Sequence, residues 1–121
     1  MKPIYRGKTT NHVANYWAKG CYVYDEFSDC IRDYAMEYHF VNPETVGRYV
    51  GKKDKNKTPI FVGDILKDVN GNLFLVVEES TRVVLKTQER RVCTWLYVEK
   101  NEIIGNIYDN PELWNGGNRN G

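Results

Sequence analysis

The chain is poor in the residues on which chemistry most often depends. Its 121 residues include two histidines and three cysteines, and 17 Lys and Arg nearly cancel 16 Asp and Glu, leaving a formal charge of +1. A chain so close to neutral has no global field to draw it onto nucleic acid or an anionic membrane, so such binding would need a local patch. No stretch approaches the roughly 18 consecutive apolar residues of a membrane helix, and Met1-Lys2-Pro3-Ile4-Tyr5 leads into polar sequence, not into the apolar centre of a signal peptide. The expected location is cytoplasmic. Cys21, Cys30 and Cys93 are odd in number and lack paired spacing, which predicts three free thiols in a reducing compartment.

What the chain does have is the composition of a folded domain. Hydrophobic residues make up 41% and charged residues 27%, too apolar a balance for disorder, and the length suits one domain or two small ones. Nine Tyr, three Trp and four Phe favour pleated, half-buried surfaces over helix interiors. The expected fold is mainly β, with short apolar stretches divided by turn chemistry every 8–12 residues or so.

In Tyr34-Ala35-Met36-Glu37-Tyr38-His39-Phe40-Val41 strict alternation predicts a strand, with Tyr34, Met36, Tyr38 and Phe40 on one face and His39 on the other. Asn42-Pro43 ends it. Further strands are expected at 45–50, 59–62, 65–67, 73–77, 82–86, 92–98 and 103–108. The firmest local signal is Asn70-Gly71 between apolar runs, a hairpin turn. Ile4-Tyr5-Arg6 and residues 16–24 are expected to pair around a polar loop, with a helix over 11–19 as the rival reading. Residues 25–29 read as a loop or one helical turn. Asp109-Asn110-Pro111-Glu112-Leu113-Trp114 forms a helical turn with Pro near its start, and the Asn- and Gly-rich tail 115–121 is expected to be disordered.

Candidate chemistry is sparse. His12, His39 and the cysteines show no C-x-x-C or paired-His spacing for zinc, and Cys93 beside Trp95 reads as a small buried hydrophobe. Asp54, Asp64, Asp68 and Asp109 each stand at a turn signal, where a carboxylate accepts local backbone N–H groups and catalysis need not be invoked. No phosphate loop or dinucleotide fingerprint is present. The expectation is therefore no enzyme, no metal and no cofactor. One cluster stands out: Arg48, Lys52, Lys53, Lys55 and Lys57 lie within ten residues beside Tyr49, a pattern suited to phosphate contact with an aromatic stacked on a base. Arg90 and Arg91 form a second, smaller basic point. A solvated lysine turn that discourages edge pairing is the simpler reading of the cluster.

Three stretches resemble the YopX family, whose members are found in phages and prophages. They are 42–56 (Asn42-Pro43-Glu44-Thr45-Val46-Gly47-Arg48-Tyr49 onward), Ile60-Phe61-Val62-Gly63-Asp64-Ile65-Leu66, and 102–113 with its Ile104-Gly105-Asn106-Ile107-Tyr108 centre. Residues 4–8 and 17–22 are similar to the family's N-terminal motifs. One departure is physical: Lys57 stands where the family's turn usually carries Gly, and if that position needs positive φ the cost is about 1 kcal/mol. The resemblance implies a phage or prophage origin, a bacterial host cytoplasm, an SH3-like small barrel in the C-terminal half and oligomerisation; it implies no known catalysis. The domain reading is a β-rich N-terminal region over 1–41 packed against the barrel at 42–114, followed by the tail 115–121. The function expected is a non-catalytic accessory or interaction module that binds a protein partner or itself as a homo-oligomer. The alternative is a nucleic-acid-binding barrel that uses the Arg48–Lys57 turn.

Overall fold

The computed structural model describes residues 5–10, 15–80, 82–89, 92–93 and 98–115. Among the described residues eleven strands are present: β1 (Tyr5–Lys8), β2 (Trp17–Tyr24), β3 (Asp29–Arg32), β4 (Tyr38–Phe40), β5 (Gly47–Lys53), β6 (Pro59–Phe61), β7 (Asp64–Lys67), β8 (Leu73–Glu79), β9 (Arg82–Lys86), β10 (Val92–Cys93) and β11 (Glu102–Asn106). One short helix, α1 (Pro111–Asn115), follows. The protein is mainly β, as its composition predicts. Strand order is β4-β3-β2-β1-β5-β6 in one antiparallel sheet and β10-β9-β8-β7-β11 in the other.

Neither sheet closes into a barrel among the described residues. This departs from the barrel expected of the C-terminal half. The physical reason is that β6 neighbours β5 in the first sheet, so β10 and β11 remain the edges of the second. The chain divides into two compact units, 1–49 and 50–121, whose boundary falls inside β5.

In the first unit β2 serves two partners. Its first half pairs with β1, Tyr5 opposite Gly20 and Lys8 opposite Trp17; its second half pairs with β3, Cys21 opposite Arg32 and Tyr24 opposite Asp29. Gly20, at the switch, admits the close approach: a Cβ there would lie 2.1 Å from the Arg32 carbonyl oxygen. The core consists of Ala18, Ile31 and Val41, with Tyr5, Tyr22 and Val46 packed against it. Ile31 is fully buried, and such burial stabilises by about 1.5–3 kcal/mol. At the rim, Thr9 bridges Val41, the Thr10 N–H donates to the Phe40 carbonyl, and the Asn42 N–H donates to that of Lys8.

The second unit is built from hairpins around Ile60, Leu66, Val76, Leu85 and Val98, joined by Val50, Val62, Phe74, Val83 and Ile103. β7 is central, between β8 and β11, and its Ile65 and Leu66 are both fully buried although they point to opposite faces. The β7–β8 hairpin forms at Asn70-Gly71 as expected, with Lys67 opposite Leu73 and Gly71 at φ 87°.

Several local expectations are corrected. The strand expected over 34–41 is only Tyr38–Phe40. Residues 34–37 form the β3–β4 turn, with Met36 at φ 67°, a conformation no continuing strand adopts. β3 itself begins where a loop was expected to end. Residues 17–19 are strand, which excludes the rival helix there. β5 starts at Gly47 after a 3₁₀ turn over Pro43–Thr45, in which the Glu44 N–H donates to the Asn42 side chain. Ile4, Arg90 and Arg91, the stretch 94–97 and the tail 116–121 lie outside the described residues.

Candidate binding surface

Three hairpin turns share one construction. In residues 33–37, 54–58 and 68–72 the leading Asp accepts from the backbone N–H groups two and four residues on, at 2.8–3.0 Å. In each, the first N–H donates to the fifth carbonyl and the fourth N–H returns to the first carbonyl. The fourth residue is left-handed: Met36, Lys57 and Gly71. Asp54 and Asp68 therefore have the turn role their positions predict. Asp64 likewise accepts from the Phe61 N–H at 2.8 Å, and Asp109 accepts from the Asn106 side-chain amide at 3.2 Å. Asp54 goes further: it is buried, and its second oxygen takes the Ile103 N–H at 3.0 Å, fastening the turn to β11.

The basic run is divided by the fold. Arg48 and Tyr49 belong to the first unit, both half-buried, and Arg48 lies opposite Tyr5. Lys52, Lys53, Lys55 and Lys57 belong to the second unit and are exposed. Lys52 and Lys53 are consecutive on β5 and so point to opposite sides of the sheet. Lys55 faces Glu102 at 3.6 Å, an exposed pair worth little.

A surface the sequence reading did not assemble lies on β2, β3 and β4. The register sets Val23, Cys30 and Phe40 in one cross-strand row and Cys21, Arg32 and Tyr38 in the next. Because Ile31 between them faces the core, alternation turns both rows to the other face, where Cys30 is buried beneath exposed Val23, Tyr38 and Phe40. Val23, Tyr24, Asp25, Ser28, Cys30, Tyr38 and Phe40 line a groove of ≈ 230 Å³. Tyr38 is 57% exposed and Phe40 62%, and Phe27, in the β2–β3 turn, is 86% exposed. Hydrogen bonds to Tyr38 and then Cys21 hold the Arg32 guanidinium proton more tightly than usual. Cys21 and Cys30 are both free thiols; the Cys93 side chain lies outside what is described.

On the inward side, His39 Nδ1 lies 2.7 Å from the Tyr16 hydroxyl and Nε2 lies 2.7 Å from Asp33 Oδ2. That His39 contact, then the Glu37 N–H, holds the Asp33 carboxyl below its ordinary range. Asp33, Glu37 and His39 bring ligand-type atoms within 4.8 Å of one another. Both His39 nitrogens and both Asp33 oxygens already have partners, so the group acts as the lock of the β3–β4 turn. On the same side Tyr22 donates its hydroxyl to Asp29. Burial, then Asp29, pushes the Tyr22 pKa up to about 12.

Among the described residues no helix is long and apolar enough to cross a membrane. No curated protein matches the chain. The family model described as YopX protein matches residues 6–115, which takes in the motifs at 42–56, 60–66 and 102–113 and all but the first and last few residues, and the chain therefore belongs to the YopX family.

Proposed function

We propose that the chain is a non-catalytic accessory module of phage or prophage origin, active in the host cytoplasm, and that it works by binding through the outer face of β2–β4. One observation carries this reading. Of the ten exposed large apolar side chains among the described residues, eight lie between Tyr16 and Phe40. Phe27, Tyr34, Met36, Tyr38 and Phe40 lie on β4 and in the turns at the two ends of β3 and together expose on the order of 650 Å², taking ~200 Å² for each large side chain. Exposed apolar side chains scattered singly are ordinary, whereas such a gathering on two hairpins marks an interaction surface. The exposed area approaches the ~800 Å² one partner contributes to a standard protein interface.

A protein partner, a second copy of the chain included, fits such a surface. The face serves better than the β4 edge, because the Thr10 N–H already occupies the Phe40 carbonyl. The second unit is read as an SH3-like scaffold, supported by its succession of short antiparallel hairpins. Nucleic acid is the second reading, and the observation that favours it is the sign of the outward charges on β1–β3: Arg6, Lys8, Lys19 and Arg32, all cationic. The Arg48, Tyr49, Lys52, Lys53, Lys55 and Lys57 set is its alternative location.

The test compares wild type with the Tyr38→Ser, Phe40→Ser double variant in sedimentation and in capture from host lysate. Self-association or a captured partner lost in the variant is the expected result. A partner held equally well by both proteins contradicts the assignment of the surface.

A further inference from the structure

The outer face of the first unit carries an ordered arrangement of cations and rings that extends the second reading. Tyr5, Ala18, Tyr22 and Ile31 face the core, so alternation directs Arg6, Lys8, Trp17, Lys19, Cys21, Val23, Cys30, Arg32, Tyr38 and Phe40 to the other face. Every charged residue in that set is positive. Asp29, the one acidic residue on β1–β4, has the opposite parity and receives the Tyr22 hydroxyl.

The cations follow the register across the strands. Arg32 is opposite Tyr38 on one side and Cys21 on the other, and Lys19, two residues along β2, is opposite Arg6. Trp17, opposite Lys8, takes the Arg6 guanidinium over its ring at 4.6 Å and the Lys8 ammonium at 5.4 Å. Arg6 is buried, whereas Lys8 and Arg32 are half-exposed and Lys19 is exposed. Tyr38 and Phe40, two apart on β4, present exposed rings about 6.6 Å from each other along the strand. Two aromatics at this spacing on an open sheet face give successive unpaired bases a ring each, which a duplex, with its bases stacked inside, cannot use. Asp25 and Glu26 at one hairpin end and Glu37 at the other repel a polyanion, so its path runs across the strands from β4 toward β1.

We propose that this face binds single-stranded nucleic acid, with Tyr38 and Phe40 each stacking on a base and Arg32, Lys19 and Lys8 contacting successive phosphates over about four nucleotides. The proposal rests on the reading of this face as the binding surface. Three accessible cations predict a fall of log K with log salt of slope about −2, at roughly −0.7 per contact for a single strand.

The experiment is fluorescence anisotropy with labelled twelve-nucleotide oligo(dA), the matching RNA and a twelve-base-pair duplex, at two salt concentrations. Single strands bound at least tenfold more tightly than duplex are expected. Tyr38→Ser and Phe40→Ser each weaken binding about tenfold with the salt slope unchanged, Arg32→Gln with Lys19→Gln lowers the slope, and Lys52→Glu with Lys53→Glu changes neither. All but the half-exposed Arg32 are exposed positions, so the variants fold, and circular dichroism verifies it. No saturable binding up to 100 µM, or binding lost only in the Lys52/Lys53 variant, overturns the proposal. If the oligonucleotides fail while Tyr38→Ser, Phe40→Ser abolishes protein capture or self-association, the ligand is a protein: the nucleic-acid proposal falls and the binding surface stands.

Discussion

Lys57 and Gly71 occupy the same place in two copies of one turn, at φ 64° and φ 87°, and only one of them suits the backbone. A side chain with a Cβ pays about 1–2 kcal/mol in the left-handed region, partly offset because glycine leaves the unfolded chain more entropy to lose. Lys57→Gly is therefore expected to stabilise the protein by about 1 kcal/mol, read as a rise in the urea midpoint at unchanged slope. A midpoint that falls would show that the Lys57 side chain contributes more than its backbone costs. The resemblance to the family's turn implies glycine at this position, so the strain was expected from the sequence. Met36, at φ 67°, bears the same strain with no such signal.

At the scale of the element, the three Asp-led turns show what was legible and what was not. Asp68-Val69-Asn70-Gly71-Asn72 announces itself because asparagine and glycine are the residues a left-handed turn selects. In Asp33-Tyr34-Ala35-Met36-Glu37 the same hydrogen bonds form without either, and the alternation of Tyr34, Met36, Tyr38 and Phe40 imitates a strand that the chain makes only at its end. The outward rows were hidden for a related reason: β3 is four residues long, too short for periodicity to show, yet its register places Cys30 beside Phe40 and Arg32 beside Tyr38. The basic run was fully visible in sequence, but linear proximity does not survive a strand that alternates its faces and a boundary inside β5.

The same hairpin yields a pH dependence. The Asp33 carboxyl is held low by His39 and then by the Glu37 N–H. A depressed carboxylate contributes stability that is present above its unfolded value of about 3.9 and is lost as pH falls through the lower folded value. Asp33→Asn is expected to lower the urea midpoint at pH 6, with the gap to wild type closing below about pH 4. A gap that stays constant down to pH 2.5 would mean that ionised Asp33 adds nothing.

At the scale of the whole molecule, a mainly β chain with nearly balanced charge concentrates its exposed aromatic side chains on two hairpins of its first unit, while the second unit buries a separate aliphatic core. Exposed aromatic and apolar side chains gathered in this way mark an interaction surface, and the proposed site of binding is the outer face of β2–β4. Hydroxyl-radical footprinting, which oxidises exposed Tyr, Phe and Met, tests it without presuming the ligand's class. The purified protein would be compared alone and in lysate of the cells that carry it. Protection of Phe27, Tyr34, Met36, Tyr38 and Phe40, with Tyr108 unchanged, is the predicted result; oxidation of those five residues at equal rates in both samples would contradict it.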